Sequence, residues 1–180
     1  MSNLSYSGSL RKMRAVLSDP VDYYLTLDKN EVSLNSIIGL NVKLEFHGLI
    51  QCIYCGRKTN KSFNQGYCFP CFRKLARCDL CIVSPEKCHY DQGSCREPEW
   101  GEKNCMTEHI VYLSITSVLK VGITRSTQVP TRWIDQGATQ AQPIFIVKTR
   151  YQSGTVEKIF SRYVADKTNW RAMLKGNQPR

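Results

Sequence analysis

An α+β fold is predicted for this chain of 180 residues, with a small β-rich N-terminal segment, a cysteine-rich centre and a β-β-α-β-α C-terminal domain. Three observations predict it. Short runs before residue 52 alternate apolar and polar residues, the period of a half-buried strand. All nine cysteines fall between Cys52 and Cys105, and six of them form C-x2-C pairs. From His109 onward ordinary strand and helix patterns resume. The expected boundaries are 1–51, 52–105 and 106–180.

In the first segment, residues 21–27 read as a strand with residues 28–30 as its turn. Further strands are expected at 32–34 and across 40–50, where Val42, Leu44 and Phe46 alternate with Lys43 and Glu45. The segment is too short to bury much core by itself. The centre has weak periodicity and should form knuckles and turns, with Gly56, Gly66 and Gly93 placed where tight turns need them. In the last segment, residues 109–115 and 118–124 read as a hairpin. A short helix is expected at 130–136 and a third strand at 144–147. A second helix is expected at 155–166, with apolar residues at 156, 159, 160, 163 and 164 and Ser153 as its cap.

The spacing Cys52-x2-Cys55-x12-Cys68-x2-Cys71 is the pattern of a tetrathiolate zinc site. A C-x2-C knuckle aims two sulfurs at one point, and two knuckles a dozen residues apart close a tetrahedron. Four sulfurs leave no open position for water, so such a zinc is structural, and it stabilises a region that lacks an apolar core. Cys78-x2-Cys81 is a third knuckle. Cys88 and Cys95 are the nearest residues to complete a second site, with His89, Cys105 and His109 as substitutes. A cross-braced pairing of the first and third knuckles, or an iron–sulfur cluster, would use the same thiolates.

Charge points to a polyanionic partner. Residues 1–51 hold five Lys/Arg against five Asp/Glu, residues 52–105 nine against six, and residues 106–180 eleven against four. The basic excess therefore grows toward the C-terminus, and a basic face attracts nucleic acid through counterion release. Arg57, Lys58, Lys61, Arg73 and Lys74 surround the first four cysteines, with Phe63, Tyr67, Phe69 and Phe72 among them. The aromatics suit base stacking or equally a small ribbon core. No apolar run approaches the ~18 residues of a membrane helix, and residues 1–10 lack the apolar stretch of a signal peptide. A cytoplasmic protein is expected, and in that reducing compartment paired cysteines favour metal over disulfides.

Val111-Tyr112-Leu113 followed by Lys120-Val121-Gly122 resembles the paired motifs of the GIY-YIG nuclease superfamily, over about residues 109–171. The resemblance implies a catalytic set of Tyr112, Lys120, Arg132 and Glu157. Tyr112 would act as general base or orient it, Arg132 would hold the scissile phosphate, and Glu157 would bind Mg²⁺ or Mn²⁺. Arg125 is a further phosphate contact. The sequence departs from the pattern twice: Lys120 stands where the superfamily has its second Tyr, and Val111 where it has a Gly. A Lys can relay a proton there only if burial or a nearby cation lowers its pKa. Residues 52–59, 62–68, 96–101 and 120–125, among them Trp100-Gly101, also resemble an uncharacterised bacterial family, domain of unknown function 2797. That resemblance implies a chain that continues past Arg180.

Three functions fit these features: a metal-dependent endonuclease aimed by structural zinc, with DNA favoured over RNA; a zinc-containing nucleic-acid-binding protein without catalysis; and a protein-interaction module with zinc for folding. The oligomeric state is left open by the sequence.

Overall fold

The computed structural model describes residues 4–176. The fold mixes α and β around two small sheets. Contacts divide the chain into two compact units, Met1–Lys74 and Leu75–Arg180. The division falls inside the cysteine-rich stretch, so the first four cysteines lie in one unit and the other five in the next. Among the described residues no helix is long and apolar enough to cross a membrane.

The first unit holds an antiparallel sheet of β1 (Arg14–Val16), β2 (Asp22–Leu27) and β3 (Asn30–Ser33), in that order. Asp28, at φ +50°, makes the tight turn between β2 and β3, a conformation that Asp tolerates better than most residues. Arg14 bridges two strands: its guanidinium makes two 2.7 Å bonds to Glu31 and stacks 4.1 Å above the Tyr24 ring. The strand expected at 40–50 does not form. Val42, Leu44 and Phe46 are exposed, and only Ile50 and Gln51 pair, with Thr59 and Lys58. Alternation makes a strand only where a neighbouring strand takes up its N–H and C=O groups. Among the described residues no strand lies beside 41–49. The unit closes with α1 (Phe69–Lys74).

The second unit begins with four 3-10 turns, Ala76–Cys78, Leu80–Ile82, Pro85–Lys87 and Tyr90–Gln92. These lead into α2 (Pro98–Asn104), which Pro98 starts from its first turn. The hairpin of β4 (His109–Ile115) and β5 (Leu119–Arg125) follows, then α3 (Thr131–Asp135), β6 (Gln140–Val147), α4 (Arg150–Phe160) and α5 (Trp170–Leu174). The sheet order is β5-β4-β6, antiparallel throughout. Val111, Tyr112 and Val121 at its centre are fully buried.

Helix α4 packs on all three strands and starts five residues before the start expected from the apolar stripe. Thr149, not Ser153, is its cap. Thr149 accepts from the Gln152 N–H while the Gln152 side chain accepts from the Thr149 N–H, a reciprocal box that satisfies two otherwise orphan donors. Ser153 lies inside the helix and donates to the Arg150 carbonyl at 2.8 Å. The helix ends at Phe160 rather than 166, leaving Tyr163 82% exposed. The chain then returns to the sheet, where the Ala165 carbonyl accepts from the Val121 N–H at 2.8 Å. On the opposite edge, Pro143 of β6 stands across from Tyr112. Gly154 is the contact point of α4 with the Pro85–Lys87 turn: a Cβ there would lie 2.4 Å from the Pro85 Cβ.

Candidate metal centre and candidate active site

The first centre is built from two knuckles of the first unit. Cys52 and Cys55 flank a turn closed by the Gly56 N–H bonding back to the Cys52 carbonyl at 2.9 Å. Gly56 has φ +69°, open to glycine at no steric cost. Phe63 and Tyr67 pair as a tiny hairpin that delivers Cys68, and Cys71 sits on the first turn of α1. All four sulfurs lie within 4.8 Å of one another, with Cys55 and Cys68 separated by 3.8 Å. Zinc–sulfur bonds of about 2.3 Å give a tetrahedron with an edge of about 3.8 Å. The donor set and its spacing therefore fit a metal ion such as zinc.

The surroundings shift two of these thiols in opposite directions. Burial alone would raise Cys52, but the N–H groups of Cys55, Cys68 and Tyr54 outweigh it and bring the thiol down to about 6. Burial, then hydrogen bonding to Cys68, Cys55 and Cys52, pushes Cys71 up to about 12. A bound cation would displace the proton that Cys71 holds. Phe63 packs against Phe69 and Phe72 at 5.3 and 5.7 Å, forming the small ribbon core. Arg57, Lys58, Lys61, Arg73 and Lys74 are all exposed around it.

The remaining cysteines are arranged differently. Cys78 is buried in the first 3-10 turn of the second unit, beside buried Leu75 and Ala76. Cys81, Cys88 and Cys95 are half-buried. These four sulfurs are not gathered within 4.8 Å as the first four are. The other close set of metal-type donors among the described residues is Asp79, Cys81 and His89.

The charged cluster of the second unit occupies one face of the sheet. Tyr112 lies across from Gly122 in the hairpin register, and Lys120, two residues from Gly122, points to the same side. The fully buried Tyr112 donates its hydroxyl proton to Gln136 Oε1 at 2.7 Å and meets Trp133 edge-on at 5.8 Å. Burial pushes its pKa up, Glu157 adds to that, and Arg132 opposes it. Lys120 is 3% exposed and donates to Thr168 Oγ1 at 3.3 Å. Burial and then Arg132 lower its pKa, against Glu157 and Asp166. Burial and then Asp166 raise Glu157 to about 7, against Lys120 and Arg150. Arg132 is the exposed member.

Tyr112, Lys120, Arg132 and Glu157 thus come from β4, β5, α3 and α4, and the charges of Arg132 and Glu157 each reach both Tyr112 and Lys120. Arg125 stands apart: it alternates onto the other face of β5 and donates to Asn104 Oδ1 at 2.5 Å. Sequence reasoning missed Gln136, Arg150, Asp166 and Thr168. Gln136 carried a signal, being four residues beyond Arg132 and so on the same helix face. Asp166 and Thr168 carried none, because a turn after α4 brings them back. A shallow surface groove along β6 and α4, lined by Ile146, Lys148, Tyr151 and Thr155 among others, includes none of the cluster.

The model of a family described as "Protein of unknown function (DUF2797)" matches residues 39–180. No curated protein and no solved structure matches the chain.

Proposed function

The chain belongs to the DUF2797 family, whose description names no reaction, and from its charged cluster we propose a divalent-metal-dependent nucleic-acid endonuclease of the GIY-YIG type, acting on DNA before RNA. The β4-β5-α3-β6-α4 order is compatible with that architecture. The observation that carries the reading is that Arg132 of α3 and Glu157 of α4 each reach both Tyr112 of β4 and Lys120 of β5.

Phosphodiester hydrolysis needs a proton acceptor for water, a cation at the phosphate and a stabilised leaving oxygen. Glu157 is the residue to hold Mg²⁺ or Mn²⁺. Its carboxyl makes no hydrogen bond or ion pair among the described residues, and the negative Asp166 beside it raises its demand for a cation. An acidic pair with free oxygens suits these hard ions. Bound there, the ion would neutralise phosphate charge and acidify water. The exposed Arg132 guanidinium would grip the phosphate in a two-point contact. Lys120, its pKa lowered by burial and by Arg132, would be the amine that takes a proton. Tyr112, its pKa raised, keeps its proton and would position water through a hydroxyl fixed by Gln136. Of the two roles that the superfamily resemblance implies for Tyr112, this is the orienting one, and Lys120 is the proton relay.

The test is cleavage of single- and double-stranded DNA and RNA with Mg²⁺ or Mn²⁺. Arg132→Ala and Glu157→Gln should each reduce turnover at least about 100-fold, the scale of removing one transition-state contact, with unchanged circular dichroism. Protein that cuts none of these substrates would remove the nuclease reading. A second reading, binding without turnover, is favoured by the exposed Arg57, Lys58, Lys61, Arg73 and Lys74. It requires affinity that falls steeply with salt.

A further inference from the structure

We propose that Cys81, Cys88, Cys95 and Cys105 form a second tetrathiolate zinc site within the second unit, and that Cys78 stays outside it. The four cysteines arrive from four separate pieces of chain: the Leu80–Ile82 turn, the residue after the Pro85–Lys87 turn, the loop after Tyr90–Gln92, and the end of α2.

Three contacts bring them together. The Cys95 sulfur lies against α2, only 3.2 Å from where a Cβ on Gly101 would stand. Cys105 is four residues beyond Gly101, joined to it by a 2.7 Å backbone bond, and so occupies the same helix face. Arg150 ties the opposite side, its N–H bonding the Cys105 carbonyl and its guanidinium the Ile82 carbonyl, each at 2.7 Å. Ile82 is the neighbour of Cys81. The Leu80–Ile82 and Pro85–Lys87 turns pack on each other, which places Cys88 beside that pair. Electrostatics agrees: the charges of Cys88, Cys105 and Cys95 all reach Cys81, and those of Cys88 and Cys95 reach Cys105.

The Asp79, Cys81 and His89 set is better explained as an ion-pair network. Asp79 Oδ2 accepts from Arg96 Nε at 2.7 Å and faces His89 Nε2 at 3.5 Å. Its Oδ1 accepts from the Leu80 N–H at 2.6 Å, and His89 Nδ1 bonds Ser94 Oγ at 2.8 Å. Both carboxylate oxygens and both ring nitrogens are thus engaged. The four cysteine sulfurs, by contrast, are soft donors, the kind zinc prefers; they are not gathered within 4.8 Å as the first four are, so side-chain rotation would have to close them on the ion. Such an ion would staple the turns and α2 together next to Arg150, the first residue of α4.

The experiment is metal analysis of the full chain, with X-ray absorption at the metal edge, and it reads the site without any cleavage assay. Two zinc ions per chain, both with an all-sulfur shell, are expected. Cys105→Ser and Cys88→Ser should fall to one zinc, while Cys78→Ala and His89→Gln keep two. The wild-type spectrum guards against variants that fail to fold, because nitrogen or oxygen in the shell of the second ion would already point to Asp79 and His89. One zinc per chain, such a mixed shell, iron with sulfide in place of zinc, or loss of an ion in Cys78→Ala would each overturn the assignment.

Discussion

Gly122 faces Tyr112 across the β4-β5 hairpin so closely that a Cβ on it would stand 2.7 Å from the tyrosine hydroxyl oxygen and 2.8 Å from Cζ. The glycine is there because the phenol fills the space a side chain would need. Gly122→Ala should therefore push Tyr112 off Gln136 and destabilise the second unit by about 1–3 kcal/mol, the usual scale of overpacking. Urea unfolding followed by tryptophan fluorescence measures this. An alanine variant as stable as wild type would mean that the ring can move without loss.

Glu157 sets a pH dependence. Its folded pKa is raised to about 7 from an ordinary 4.5, so the folded state holds a proton that the unfolded state has released. Stability contributed by that protonation is present below pH 4.5 and is lost as pH rises toward 7. Relative to Glu157→Gln, wild type should weaken over that window by at most about 3 kcal/mol. Unfolding of both proteins in magnesium-free buffer checks it, and a difference that stays constant with pH would contradict the raised value.

A metal ion such as zinc on the Cys52, Cys55, Cys68 and Cys71 sulfurs would hold the end of the first unit together. Structural zinc sites contribute about 10–16 kcal/mol of apparent binding energy, far more than the Phe63, Phe69 and Phe72 contacts alone supply. Chelation, or Cys52→Ser, should collapse the amide dispersion of residues 51–74 in a heteronuclear NMR spectrum. Retained dispersion in the metal-free protein would show that the ribbon core suffices.

The cap of α4 makes a smaller prediction. Thr149→Ala deletes the side-chain acceptor for the Gln152 N–H and should cost about 1 kcal/mol. The effect should be independent of pH, which separates it from the Glu157 effect in the same melts.

Much of this was legible in the sequence because it is local. The Cys52 to Cys71 spacing encodes its own geometry, and the strands expected from composition at 109–115 and 118–124 form at 109–115 and 119–125. Cues that depend on a partner misled. Val42, Leu44 and Phe46 alternate correctly, yet among the described residues no strand lies beside them. The apolar stripe marked the face of α4 but not its ends, since polar Thr149 and Gln152 set the start. Arg150 and Asp166 were invisible for a related reason. Their importance comes from what the tertiary fold places next to them.

The edges of the three-stranded sheet in the second unit have a practical consequence. An open strand edge invites another chain to pair with it. Here the Ala165 carbonyl already occupies the outward N–H of Val121 on β5, and β6 carries Pro143, which has no N–H to offer. Both rims are thereby blunted against edge-to-edge self-association. The natural guard on β5 is one backbone bond from the segment after α4, so trimming the chain before Ala165 would expose a sticky rim and turn a folding question into a solubility one.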